Sequence, residues 1–253
     1  MLKVENTETY GWEEAVRGMR NPMNSWAKID SYYGCEEGSC DWCKEFAPDE
    51  PCPNRSGNSI KRYILGDNDL NLMERLRNAG TDHRKYLRMI IVSCDIIAPL
   101  YWWKEFDTYK VGTVANSCST MHKIQAKEFT KEDFSLEHLM RWNVMGGSDK
   151  DAPLIFVNDA EYPTDPIGLL RATILMLNEC RKRYLKTKDK RFWWQMIQLL
   201  PSSYNQKRTV MLNYEVLVNI YKSRKDHKLD EWHTFCDWIE TLPYSRLIVG
   251  DNK

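Results

Sequence analysis

Apolar residues recur at helical spacing in several stretches of the chain and run unbroken in one. Between Thr9 and Met19, the positions Trp12, Ala15, Val16 and Met19 share one helical face, and Asn21-Pro22 closes the segment. Asp67-Asn68-Asp69 offers an N-cap, Leu70, Leu72, Met73 and Leu76 form an apolar stripe, and Gly80 supplies the stop. Met89 to Ala98 is β-branched and continuous, which predicts a buried strand closed by Pro99. Further helices are predicted over Leu100 to Phe106, Lys131 to Trp142, Ile167 to Tyr184, Asp189 to Leu199, Leu212 to Arg224 and Leu229 to Leu242. Gly146-Gly147 and Leu200-Pro201 read as breaks, and Thr108 to His122 as a polar loop shaped to approach a ligand. The pattern predicts an α+β fold: one helix-rich domain over 1–253, built around a central antiparallel or mixed sheet. Ser31 to Ile60 has no periodicity and is rich in Gly, Ser, Pro and Cys, so residues 31–60 read as a Cys-rich insertion lobe.

Composition narrows the function classes. Lys plus Arg and Asp plus Glu are both 36 in 253 residues, which excludes the basic footprint of a general nucleic-acid binder. With 10 Trp, 13 Tyr and 7 Phe the chain can build a large aromatic core or line a pocket for a flat ligand. No apolar run reaches the roughly 20 residues that span a bilayer, and the first residues are polar and acidic, so no membrane partner and a cytoplasmic location are expected.

Three constellations could carry chemistry. Cys35, Cys40, Cys43 and Cys52 could close a structural zinc site, Cys40 and Cys43 having the spacing that brings two thiolates to one ion; four free thiols are the alternative. Lys104, Lys110, Asn116, Ser117, Ser119 and His122 crowd one polar stretch, where lysines and hydroxyls suit a phosphate and Asn suits a base edge; a solvated loop is the alternative. Asn213, Asn219, Arg224 and His227 sit on one predicted helix and just beyond it, with Asn213 and Arg224 on nearly the same face at about 100° per residue. Arg224 could bind a phosphate bidentately or act only as a C-terminal cation complementing the helix dipole.

Taken together, these segments resemble the flavin-dependent thymidylate synthase family from about Leu70 to Leu242. Ala79-Gly80-Thr81-Asp82-His83 is similar to the family segment in which a His lies beside the flavin. Tyr101-Trp102-Trp103 followed by Asn116-Ser117-Cys118-Ser119-Thr120-Met121-His122 is similar to the family signature, an Arg-His-Arg triplet and then Ser-x-Asn-Glu-x-Ser-x-Arg-Tyr. Leu200-Pro201, Asn213, Leu217, Asn219, Arg224 and His227 match the order Leu-Pro, Asn-Leu-Arg-x-Leu-x-His/Asn, Arg and His. The chain departs from the family in lacking the Arg-His-Arg triplet, in carrying Ser117 for the signature Glu and Met121-His122 for Arg-Tyr, and in carrying Glu215 where the family has Arg. In the family those arginines hold flavin phosphates and nucleotide.

The resemblance implies reductive methylation of dUMP, or a related pyrimidine nucleotide, to dTMP. The carbon would come from methylene-tetrahydrofolate, and FAD reduced by NADPH would supply the hydride, in a homotetramer. It implies Arg224 as the catalytic donor to the uracil oxygens. Lys110, Asn116, Ser117, Ser119 and His122 would join it in substrate binding, and His83, Lys104, Asn213, Asn219 and His227 would bind cofactor. Two other readings remain open at this point: a protein of the same fold that has lost flavin chemistry and binds nucleotide, and a zinc-stapled interaction protein.

Overall fold

The computed structural model describes residues 2–34, 62–140, 154–157, 160–163 and 165–250. The insertion lobe, with Cys35, Cys40, Cys43 and Cys52, lies outside the described residues. Among the described residues no group of three or more His, Cys, Asp or Glu side chains could hold a metal ion. No helix among them is long and apolar enough to cross a membrane.

A central antiparallel sheet carries β1 (Lys3–Tyr10), β4 (Ile91–Pro99), β8 (Asn205–Asn213) and β5 (Val114–Ser117), in the order β1-β4-β8-β5. Two further two-stranded antiparallel sheets are separate from it, β2 (Tyr32–Gly34) with β3 (Arg62–Ile64) and β6 (Leu154–Val157) with β7 (Ala160–Pro163). The helices are α1 (Trp12–Arg20), α2 (Asp67–Asn78), α3 (Leu100–Phe106), α4 (Pro166–Thr187), α5 (Lys190–Leu199), α6 (Tyr214–Arg224), α7 (Asp230–Glu240) and α8 (Arg246–Val249). The α+β architecture read from the sequence is the one observed.

The predicted central strand forms as β4, but with alternate positions fully buried and half-buried, as a sheet with two unlike faces requires. The two edge strands explain what the pattern missed. β1 reads Lys-Val-Glu-Asn-Thr-Glu-Thr-Tyr and β5 reads Val-Ala-Asn-Ser, both largely exposed. Polar edge strands discourage pairing with another chain, and that polarity is why they read as loop. β8 was missed for another reason. Val210 and Leu212 alternate at period 2 and are buried, but Lys207 and Arg208 interrupt the apolar signal.

Two predicted boundaries are corrected. The helix expected over Lys131 to Trp142 is only a single turn, Lys131–Asp133. Thr130 and Asp133 cap that turn reciprocally, then Phe134 bridges to Tyr204 and the Ser135 amide donates to the Ser203 carbonyl, so the backbone is committed elsewhere. Residues 141 and 142 lie outside the described residues. At the start of α2, Asp67 is the first helical residue, and the carboxylate that caps the helix comes from Asp30, whose oxygens accept from the Asn68 and Asp69 amides at 2.8 and 3.0 Å. Gly80 does follow the helix with a positive φ of 113°, as the predicted stop requires.

The described chain forms two compact units. The first comprises Met1–Glu5, Asp95–Lys110 and Ala115–Val210. Its core holds Trp102, Trp103 and Phe106 of α3 in edge-to-face and stacked contacts, and a cluster of Ile124, Phe129, Phe134, Leu177, Cys180 and Met196 between α4, α5 and the preceding loop. The second comprises Asn6–Cys94, Val111–Val114 and Met211–Lys253. Here α6 is buried along most of its length among α7, α8 and the turn before β4, and Trp12 of α1 meets Tyr214 edge-on at 5.3 Å. A buried ion pair fixes α1 to α2: Arg20 Nε donates to Asp69 Oδ1 at 2.6 Å, while Asp69 Oδ2 accepts from the Asp30 and Ser31 amides and the Ser31 hydroxyl. Every oxygen of that buried carboxylate is satisfied, which is the condition for retaining a charge in a core.

Candidate functional site

In the second unit the candidate residues gather at the two ends of α6. Asn213 ends β8 and begins α6, where its Oδ1 accepts from the Val216 amide at 3.0 Å as an N-cap. Glu215 in the first turn is buried, and its anionic end suits the positive pole of the helix. Its partner is Arg84, which donates from Nε to the two carboxylate oxygens at 3.2 and 2.9 Å. Arg84 Nη2 also reaches Asn219 Oδ1 at 3.4 Å, since Glu215 and Asn219 are one helical turn apart on the same side. His83, the expected flavin neighbour, is exposed in the turn that delivers Arg84, and both amides donate to the Gly80 carbonyl. His83, Arg84, Asn213, Glu215 and Asn219 therefore mark one end of α6.

Gly112 completes that end. Its φ is +80°, and an added Cβ would lie 2.8 Å from Asn213 Nδ2 and 3.2 Å from Val216 Cγ2. Only glycine lets this backbone come so close to the cap.

Arg224 and His227 lie at the other end, about 16 Å further along at 1.5 Å per residue. The Arg224 guanidinium sits over the Trp232 ring with its carbon 4.7 Å from the centroid. His227 Nδ1 accepts from the Leu229 amide at 3.2 Å, which puts the proton of the neutral ring on Nε2. The shared face expected for Asn213 and Arg224 does not bring them together, because a full helix length separates them and Asn213 is a cap.

The first unit holds the remaining candidates. Lys104 lies exposed on α3 and Lys110 exposed just beyond it. Asn116 and Ser117 end β5 with their side chains exposed. The next residue, Cys118, is pinned by its backbone: its amide donates to the Lys207 carbonyl at 2.9 Å, and its carbonyl accepts from Gln206 Nε2 at 2.8 Å. Ser117 and Ser119 flank this anchor. The Ser119 hydroxyl accepts from the His122 amide at 2.9 Å, and Trp193 Nε1 donates to the Met121 carbonyl at 3.1 Å, so the loop is held on both sides. Arg208, absent from the sequence-based set, lies over Trp103 at 4.1 Å and pairs with Asp107 at 2.7 Å.

No family model matches the sequence and no curated protein does. Among solved structures, the chain is similar to a flavin-dependent thymidylate synthase from Helicobacter pylori complexed with FAD and dUMP. The TM-score is 0.59 at 15% identity, over 99% of this chain and 100% of that one. The fold is that of the flavin-dependent thymidylate synthases. A UMP/dUMP methylase from Streptomyces cacaoi bound with 5-Br dUMP has the same fold, with a TM-score of 0.51 at 12% identity over 95% of this chain and 89% of that one. Identity this low transfers the thymidylate synthase fold and leaves chemistry to the residues themselves.

Arg84 is the residue that sequence reasoning overlooked. It follows His83 directly, so the resembling segment pointed within one position of it. The substitution of Glu215 for the family arginine was visible, and a buried carboxylate requires a cation. No local rule selects Arg84 from 131 positions away.

Proposed function

We propose that the chain is a divergent thymidylate synthase-like enzyme that methylates dUMP or a related pyrimidine nucleotide, taking the carbon from methylene-tetrahydrofolate and using FAD and NADPH. The observation that carries this reading is a full-length match to the fold with Asn213, Asn219, Arg224 and His227 arrayed along and just after one helix. FAD, when bound, supplies a hydride. The donor set at the start of α6 fits such a group: a guanidinium at Arg84, carboxamides at Asn219 and Asn213 and an imidazole at His83 offer hydrogen bonds to a heteroaromatic edge and to phosphates.

In this reading Arg224 holds the uracil oxygens, where negative charge builds during reduction of the ring. A guanidinium held over the Trp232 ring is preoriented, so its donors need little reorganisation as that charge develops. Ser117, Ser119, Lys110, Asn116 and His122 bind the substrate phosphate and sugar from the loop anchored at Cys118. His227 donates from Nε2. The enzyme works in the cytoplasm as a homotetramer, for which the exposed Leu169, Leu175 and Met176 of α4 and Trp194 of α5 provide apolar surface.

One observation favours a second reading. Glu215 neutralises Arg84, so the α6 end offers less net positive charge than a flavin pyrophosphate calls for. A protein that keeps the fold, binds a pyrimidine nucleotide and takes up no flavin fits that balance.

The test is purification followed by tritium release from 5-tritiated dUMP. Yellow protein with a flavin band, releasing tritium that Arg224→Ala abolishes while the fold persists, supports the enzyme. Colourless protein that takes up no FAD but binds dUMP supports the second reading. Undiminished release by Arg224→Ala removes Arg224 from the site.

A further inference from the structure

The second unit contains a cavity of about 350 Å³ lined by Arg20, Lys28, Asn68, Asn71, Leu72 and Arg75. None of these residues belongs to the candidate nucleotide and flavin site. Asn68, Asn71, Leu72 and Arg75 are spaced 3, 1 and 3 apart, so they form a single stripe of α2. Arg20 closes the end of α1, and Lys28 comes from the short turn Trp26–Lys28. Three separate elements thus converge on one hollow, and the lining contains no carboxylate.

The charge balance around the cavity points to its occupant. Arg20 is neutralised by Asp69 and shapes the wall. The neighbouring carboxylates are committed: both Asp69 oxygens and both Asp30 oxygens already accept hydrogen bonds from protein donors. Neither Lys28 nor Arg75 has a carboxylate partner among the described residues. Other guanidiniums of this unit do have one: Arg17 with Glu13 and Glu14, Arg84 with Glu215, and Arg246 with Glu74. Two uncompensated cations facing one hollow repel each other unless an anion lies between them. Asn68 and Asn71 add neutral carboxamide donors.

We propose that this cavity is an anion-binding subsite for a phosphate monoester, separate from the candidate catalytic site. Lys28 acts as the point charge, Arg75 forks onto two phosphate oxygens, and Asn68 and Asn71 donate to the third oxygen and to the ester side. The volume lies at the low end of the range for ligand pockets, which suits a small phosphorylated metabolite and is too small for a dinucleotide.

The experiment is calorimetric titration of the full chain with inorganic phosphate and, in a second arm, with adenosine 5′-monophosphate. Saturable binding is expected, weakened about tenfold or more in Lys28→Gln/Arg75→Gln and unchanged in the control Lys182→Gln, a residue outside the cavity lining. Tighter binding of the nucleotide than of phosphate identifies an organic monoester as the occupant; equal binding identifies free phosphate. Both altered side chains are exposed, so the fold should persist, and Arg75→Gln alone serves if the double variant melts early. Phosphate bound at the candidate catalytic site would respond to Lys110→Gln and not to Lys28→Gln/Arg75→Gln, so this result and the enzymatic reading fail separately. Equal affinity in wild type and Lys28→Gln/Arg75→Gln, or no binding of either probe, overturns the proposal.

Discussion

Arg84 donates from Nε to both carboxylate oxygens of Glu215, joining the turn before β4 to the first turn of α6 across 131 positions of sequence. The two side chains retain only 17% and 7% of their exposure, so the Glu215 carboxylate in particular has little water to fall back on. Arg84→Ala would strand a buried carboxylate and should cost about 2–4 kcal/mol. Adding Glu215→Gln should return part of that loss. A double-mutant cycle by urea denaturation should therefore give a coupling above about 1 kcal/mol. Additive effects would show that solvent, and not Arg84, satisfies Glu215.

Asn213 has a structural duty that is separable from a chemical one. Its Oδ1 caps α6, so Asn213→Ala should lose about 1 kcal/mol of stability in thermal melting. Asn213→Asp keeps the accepting oxygen and should stay within a few tenths of wild type. If Nδ2 also serves a flavin, the Asp variant should bind less flavin at unchanged stability. Equal flavin content in wild type and Asn213→Asp would leave the cap as its whole role.

Asp30 links stability to acid. Burial opposes its ionisation, but the Asn68 and Asp69 amides outweigh that penalty and hold its pKa below the ordinary carboxylate value. A depressed folded pKa contributes stability that is present above the unfolded value of about 3.9 and is lost as pH falls through the folded value. The stability gap between wild type and Asp30→Asn should accordingly be largest near neutrality and close below about pH 4. A gap that stays constant from neutrality to pH 3 would contradict this.

Thiol reactivity should divide the described cysteines. Cys118 is exposed, whereas Cys94, Cys180 and Cys236 are buried. Burial pushes the Cys236 thiol up to about 12, with Asp237, Glu240 and Asp226 adding to the effect, and burial also raises Cys180. Iodoacetamide applied to native protein at mildly alkaline pH should label Cys118 and spare the other three, as read by peptide mass mapping. Labelling of Cys236 at a comparable rate would mean that α7 opens readily.

The amphipathic segments formed close to where the periodicity put them. Trp12, Ala15, Val16 and Met19 became the buried face of α1, and Asp189 capped α5. Only local information is needed there, because 3.6-residue spacing and cap chemistry act within a few positions. The candidate site was legible in part. Asn213 and Arg224 were both found, but the start of α6 at Tyr214 converts Asn213 from a face residue into a cap. Residue spacing alone does not distinguish these roles, since the boundary depends on how far β8 extends.

The sequence by itself determined most of the helices, the central strand, the balanced charge and the family-like order of residues from His83 to His227, because each rests on short-range pattern or on simple counts. Tertiary structure alone decided that Glu215 meets Arg84, that Asp30 caps a helix 38 residues away, and that Arg20, Lys28 and Arg75 surround one cavity. Those outcomes depend on buried charges finding partners, and desolvation enforces such partners without regard to distance along the chain.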